Sequence, residues 1–114
     1  MTFYPLEQLA NLHDGYKESF EINGIRLLLI QQQDAVFLVE NKCGHFGVPL
    51  EDGRLQNDSI TCKGHGIEFS LKTGEIINRP WENCDPIRIF AVVYQGDAVG
   101  VELGSEGDAP NSSS

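Results

Sequence analysis

An all-β domain, a small sandwich or barrel-like fold of short antiparallel strands, is what this 114-residue sequence predicts. Three observations carry the prediction. Apolar and polar residues alternate in short runs, turn dipeptides separate those runs at close spacing, and the only helical hint is one short turn near Leu6 to Leu12.

The first strand pattern is YKESFEI, in which Tyr16, Phe20 and Ile22 share one face and Lys17, Ser19 and Glu21 the other. Asn23-Gly24 follows, a strong hairpin signal because a type I′ turn needs positive φ at both central residues. IRLLLI then pairs back, Gln32-Gln33-Asp34 turns the chain, and AVFLVE makes the next strand. Farther on, IEFSL and EIIN flank Lys72-Thr73-Gly74 as a second kind of hairpin. IRIFAVVYQ and AVGVEL enclose Gly96-Asp97 as another. From Gly104 the chain reads GSEGDAPNSSS, with only Ala109 as an apolar anchor. The domain is therefore placed at residues 1–103, and 104–114 are expected to be a disordered tail.

Composition narrows the function classes. Forty per cent hydrophobic and 22% charged residues are ordinary for one globular domain with a modest core. Seventeen acidic against eight basic residues give a formal charge of −9, a field that repels nucleic acid and anionic membranes and favours basic partners. Solubility alone is the plainer reading of the same acidity. The N-terminal MTFYPLEQLANLHDG lacks the basic start and apolar run of a secretory signal. The longest strongly apolar run, Leu27 to Ile30, is far too short to span a bilayer. Three cysteines cannot all pair with one another, so thiol or metal chemistry is favoured over a disulfide framework, and the cytoplasm is the expected compartment.

Two knots stand out: Cys43-Gly44-His45 and Cys62-Lys63-Gly64-His65. Both lie in glycine-rich loops between strands, where sites are commonly held and the backbone can curl close to a bound object. A structural zinc finger groups like ligands at longer spacings, whereas each loop here carries one thiol and one imidazole. That mixture suits two metal ions in different environments, two thiolates on one and two imidazoles on the other. Buried cysteines and structural histidines at chance spacing are the bland alternative.

C-x-H, sixteen intervening residues (46 to 61) and C-x-x-H together resemble the Rieske iron–sulfur motif. CKGHGIEFSLKTGEI is similar to the second cluster loop and following hairpin of small Rieske ferredoxins, and the likeness runs from about Ala35 to Leu103. The resemblance implies one [2Fe–2S] cluster per chain, with Cys43 and Cys62 on one iron and His45 and His65 on the other. It also implies small antiparallel sheets and a tip made of two cluster-binding loops, at about 41–50 and 61–67. Charge counting agrees with the chemistry. Two ferric ions, two sulfides and two thiolates sum to zero, so adding an electron is easier than at an all-cysteine site that is already negative.

Departures within the motif indicate a branch. Rieske proteins of respiratory and photosynthetic complexes carry an extra, disulfide-bonded cysteine in each loop, where this chain has Val48 and Gly64. They also carry a serine and a tyrosine that donate to the cluster sulfurs, where this chain has Ile67 and Phe69. Fewer donors stabilise the reduced state less, so the resemblance is to the low-potential branch, at about −150 mV. There is no G-x-G-x-x-G for a nicotinamide or flavin, and His13 is the only histidine outside the motif, too few for an oxygen-activating iron. The expected role is a one-electron carrier, not an enzyme, between a flavin-dependent reductase and the terminal oxygenase of an aromatic-ring dioxygenase or monooxygenase system. A small Rieske-like subunit of a nitrite reductase and a zinc-binding interaction module are the alternatives. Cys84 reads as a buried thiol and His13 as a surface residue, and Trp81 covers the cluster, touches a partner or packs in the core. Docking is expected at the tip, with Phe46, Val48, Pro49 and Ile67 as an apolar centre and Glu51, Asp52 and Glu68 as an acidic rim.

Overall fold

The computed structural model describes residues 2–42, 50–56, 58–63, 66–78 and 86–103. The tail expected over 104–114 lies outside the described residues. Among the described residues, ten strands form three antiparallel sheets. The first holds β1 (Thr2–Gln8), β10 (Ala98–Leu103) and β9 (Val93–Gln95), in that spatial order. The second runs β2 (Lys17–Ile22), β3 (Ile25–Gln32), β4 (Ala35–Glu40) and β8 (Ile89–Phe90). The third consists of β5 (Arg54–Gln56), β6 (Ser59–Thr61) and β7 (Glu68–Ser70).

The second sheet lies between the other two, which explains the apolar run in β3. Side chains alternate across a strand. Leu27 and Leu29 pack with Leu38, Val99, Val101 and Leu103 on the side of the first sheet. Leu28 and Ile30 pack with Val39, Ile60, Cys62 and Phe69 on the side of the third. All four β3 residues are fully buried. At about 2 kcal/mol each, they rival the whole net stability of a domain this size.

The Asn23-Gly24 hairpin forms as its sequence predicts, with φ of 53° and 81° and Ile22 paired to Ile25. The β3–β4 turn at Gln33-Asp34 and the β9–β10 turn at Gly96-Asp97 also stand where expected. Other expectations need correction. Residues Thr2–Gln8 form a strand that the sequence pattern does not announce, while the short helical turn expected near Leu6 to Leu12 is present as a 3-10 segment at Leu9–Asn11. β5 and β6 are strands that no sequence pattern announces. The EIIN arm reduces to one bridge, Phe69 to Ile76. IRIFAVVYQ is divided, its first part pairing with β4 and its second with β10.

Tyr16 joins the first two sheets. Its hydroxyl donates to Glu7 Oε2 at 2.8 Å, and the ring is almost wholly buried. Burial, then the hydrogen bond and charge of Glu7, push the phenol above its ordinary pKa of 10. The folded state therefore keeps a proton that the unfolded chain releases. This stabilisation is full below about pH 10 and declines as pH rises beyond it. Tyr16→Phe should flatten that alkaline decline, as read from urea midpoints across the alkaline range, and an unchanged slope would show that another group sets it.

Candidate metal centre

The third sheet is built around the second knot. β6 ends at Thr61, β7 begins at Glu68, and the hairpin between them closes on Cys62. Cys62 N–H donates to Ile67 O at 2.8 Å, and Gly66 N–H donates to Cys62 O at 2.8 Å. Gly66 has φ of 68°, the left-handed conformation that lets the chain return to its partner strand so soon after Cys62. The Cys62 side chain is 1% exposed and belongs to the apolar cluster with Leu50, Ile60, Ile67 and Phe69. A cleft of about 450 Å³ opens beside it, lined by Asp52, Arg54, Thr61, Cys62, Lys63 and Gly66.

The first knot hangs from the end of β4. Glu40 ends the strand, and Leu50 to Gly53 turn the chain into β5, with Gly53 N–H donating to Leu50 O at 2.7 Å. This turn lies directly on the base of the second loop. A Cβ on Gly53 would stand 2.6 Å from Thr61 O and 3.0 Å from Leu50 O, so only a residue without a side chain allows the approach. Lys17 Nζ fixes the same turn from β2, donating to Gly53 O at 2.6 Å. The exit of one loop and the entrance of the other are thus adjacent.

Two asparagines close the loops. Asn41 Oδ1 accepts from Leu50 N–H at 2.8 Å, while its Nδ2 donates to Glu51 Oε1 at 2.9 Å. Asn78 Nδ2 donates to Gly66 O at 2.8 Å, and its Oδ1 accepts from Glu68 N–H at 2.9 Å. Neither stands out in the sequence. Asparagine in a loop reads as a turn residue, and nothing local announces a partner nine or more positions away.

Of the four residues expected to ligate, the structure places Cys62. Cys43, His45 and His65 lie outside the described residues, as do Trp81, Cys84, Phe46, Val48 and Pro49. Ile67, expected at a docking centre, is 1% exposed and belongs to the core. Its neighbour Phe69 is fully buried as well. Glu68 is hydrogen-bonded to the Ser59 hydroxyl. Asp52 is exposed but shares its cleft with Arg54 and Lys63, so that part of the rim is of mixed sign rather than acidic. His13 is on the surface, edge-on to Tyr16, as expected.

A buried thiol on a backbone-fixed hairpin, in one apolar cluster with Leu50 at the base of a second loop whose sequence carries another thiol and an imidazole, suits a metal centre held between two loops of a β-sheet protein. A family model described as the Rieske [2Fe-2S] domain matches residues 2–95, and the chain belongs to that family. The chain is 30% identical over 94 residues to the ferredoxin component of biphenyl 2,3-dioxygenase from Rhodococcus jostii, covering 82% of this chain and 86% of that one. It is 31% identical over 103 residues to the ferredoxin component of the alkene monooxygenase system of Xanthobacter autotrophicus, covering 87% and 82%. A ferredoxin from Sphingomonas yanoikuyae B1 superposes with a TM-score of 0.79 at 25% identity, over 90% of this chain and all of the other. The chain is also 26% identical over 98 residues to human apoptosis-inducing factor 3, but spans only 16% of that protein's length. The family's [2Fe–2S] cofactor fits what is present: thiol and imidazole donors in each loop, and loop bases in contact.

Among the described residues, no helix is long and apolar enough to cross a membrane.

Proposed function

We propose that this chain is a one-electron carrier that takes electrons from a flavin-dependent reductase and delivers them to a terminal oxygenase of the aromatic-ring dioxygenase or monooxygenase type. Cys43, His45, Cys62 and His65 are the proposed ligands of its single cluster. The observation that carries this reading is the contact between the two loop bases, Leu50–Gly53 against Thr61, beside the buried thiol of Cys62. When bound, the [2Fe–2S] cluster supplies reversible one-electron chemistry. The chain's own contribution is to hold two thiolates and two neutral imidazoles and to keep water from the sulfur side. Burial of Cys62 and the absence of hydroxyls at Ile67 and Phe69 favour the low-potential branch. The names of the two relatives that this chain covers over most of their length, both ferredoxin components of oxygenase systems, support the same role.

The test uses protein purified without oxygen and reduced by the reductase of the biphenyl dioxygenase system. Mixing it with the oxygenase of that system in a stopped-flow instrument should return the visible absorption of the oxidised form. A colourless protein, or a reduced one that the oxygenase does not reoxidise, would end the proposal. Carrier interfaces are small, under about 1,200 Å² in total, so long-range charge matters most to the rate of encounter. With a net charge of −9, the transfer should slow as salt is raised, since screening acts over about 10 Å at 0.1 M. Asp52→Lys would leave its cleft with only cations, and should slow the reaction at low salt without changing the visible spectrum. Rates indifferent to both changes would rule out electrostatic docking at this rim.

A further inference from the structure

Asn41 occupies an unusual place. It is 3% exposed, one of two buried polar residues among those described, and it stands at the end of β4, two positions before Cys43. Its backbone N–H continues the sheet by donating to Arg26 O at 2.9 Å. Its side chain then uses both ends of the amide, accepting from Leu50 and donating to Glu51. One planar group thereby fixes the point where the first loop leaves the sheet and the point where it returns. Leu50 is fully buried, so water cannot take over its N–H if the amide is removed. The returning end is the one that lies on Thr61 at the base of the second loop.

From this we propose that Asn41 is a positioning residue for the metal centre, setting the first loop against the second through its side-chain amide. The inference rests on the reading that Cys43, His45, Cys62 and His65 are the ligands. Asn41 is not itself a ligand. It acts by fixing both ends of the segment that carries Cys43 and His45. Residues that orient metal ligands commonly matter by 10- to 100-fold in metal affinity.

The test uses the full chain carrying its cluster. Three quantities are measured: the rate of cluster loss to an iron chelator, the visible circular dichroism, and the midpoint potential. Asn41→Ala should lose its cluster about tenfold faster, with altered visible dichroism and a displaced potential. Asn41→Asp keeps the acceptor for Leu50 but sets a carboxylate against Glu51, and should be affected at least as much. Combining Asn41→Asp with Glu51→Gln restores a donor–acceptor pair in reversed order at unchanged net charge, so that pair should recover most of the wild-type stability and dichroism. If Asn41→Ala does not fold, the two aspartate variants decide the matter by themselves. A lowered urea midpoint with wild-type loss rate, dichroism and potential would reduce Asn41 to a fold-stabilising role and overturn the proposal. A double variant no better than Asn41→Asp alone would overturn it too. Wild-type protein lacking a Rieske spectrum would remove the ligand reading and this inference together, whereas a normal wild-type spectrum with indifferent variants would remove only the inference.

Discussion

Cys62→Ala is expected to give a folded protein with almost no bound iron and no visible absorption. Folding should survive because the backbone of Cys62 holds the hairpin, through Ile67 O and Gly66 N–H. Removing one buried atom from the cluster around Ile60 and Phe69 should cost about 1 kcal/mol in packing, small against a typical 5–15 kcal/mol. The metal centre has no such margin. In the proposed ligand set, losing one of two thiolates would remove a covalent ligand and a negative charge from one iron, and an alanine methyl supplies neither. Far-ultraviolet dichroism should still report strands, while the melting midpoint falls by whatever stabilisation the bound cluster contributed. Cys84→Ala is the natural control, because Cys84 lies outside the motif and its loss should leave the colour intact. Two irons per chain and a normal Rieske spectrum in Cys62→Ala would refute the ligand assignment.

The parts of the fold that can be read from sequence are those decided locally. Asn23, Gly24 and Gln33 take the positive φ values their hairpins need, and the alternation in β2 orients Phe20 and Ile22 toward the core. The two-loop motif that carries the family resemblance is legible too, because residue type and spacing are properties of the chain itself. What escapes a sequence reading depends on distant partners. β1 contains Pro5, which reads as a breaker. It is tolerated because β1 is the edge strand of its sheet and its register with β10 shifts between Pro5 and Glu7. β5 and β6 are three residues each, too short for alternation to register. The run from Ile87 to Gln95 looks continuous, yet Ile89 and Phe90 pair with β4 while Val93 to Gln95 pair with β10. No residue type at Ala91-Val92 marks that change of sheet.

The same division holds at the site. The proposed ligands are visible in the chain, but the contact that brings the two loop bases together is not. Gly53 looks like an ordinary turn glycine until Thr61 is found against it. Ile67 reads as part of an apolar docking centre because it follows the C-x-x-H in a glycine-rich loop. In the structure its carbonyl accepts the hydrogen bond that closes the hairpin on Cys62, and its side chain turns into the core. Asn41 and Asn78 close the loops through contacts that only the folded chain creates.

Gly74→Ala is expected to destabilise the domain far more than Gly24→Ala, although each adds a single methyl group to a turn. The two glycines have nearly the same conformation, φ of 82° and 81°. Any L-residue there incurs similar backbone strain, about 1 kcal/mol. Their surroundings differ completely. A Cβ on Gly24 meets nothing within 4 Å, whereas one on Gly74 would overlap the Ile87 carbonyl oxygen and press on Ile89 Cγ1 at 3.3 Å. Ile87 also donates its N–H to Gly74 O at 3.0 Å, so the contact is where the third sheet is fastened to the chain entering β8. Neither side can yield cheaply. Gly74 is held by its own N–H to Ser70 O, and Ile87 is a buried member of the cluster that contains Cys62. Separating them should cost several kcal/mol beyond the strain, on the scale of overpacked cores, enough to threaten a domain of ordinary stability. Urea midpoints should therefore fall slightly for Gly24→Ala and steeply for Gly74→Ala. Only the second should also shed its cluster, because the sheet that carries Cys62 loses its anchor. Equal midpoints for the two variants would mean that backbone conformation alone sets the need for glycine, and that the close packing of Gly74 on Ile87 contributes nothing to holding the metal centre.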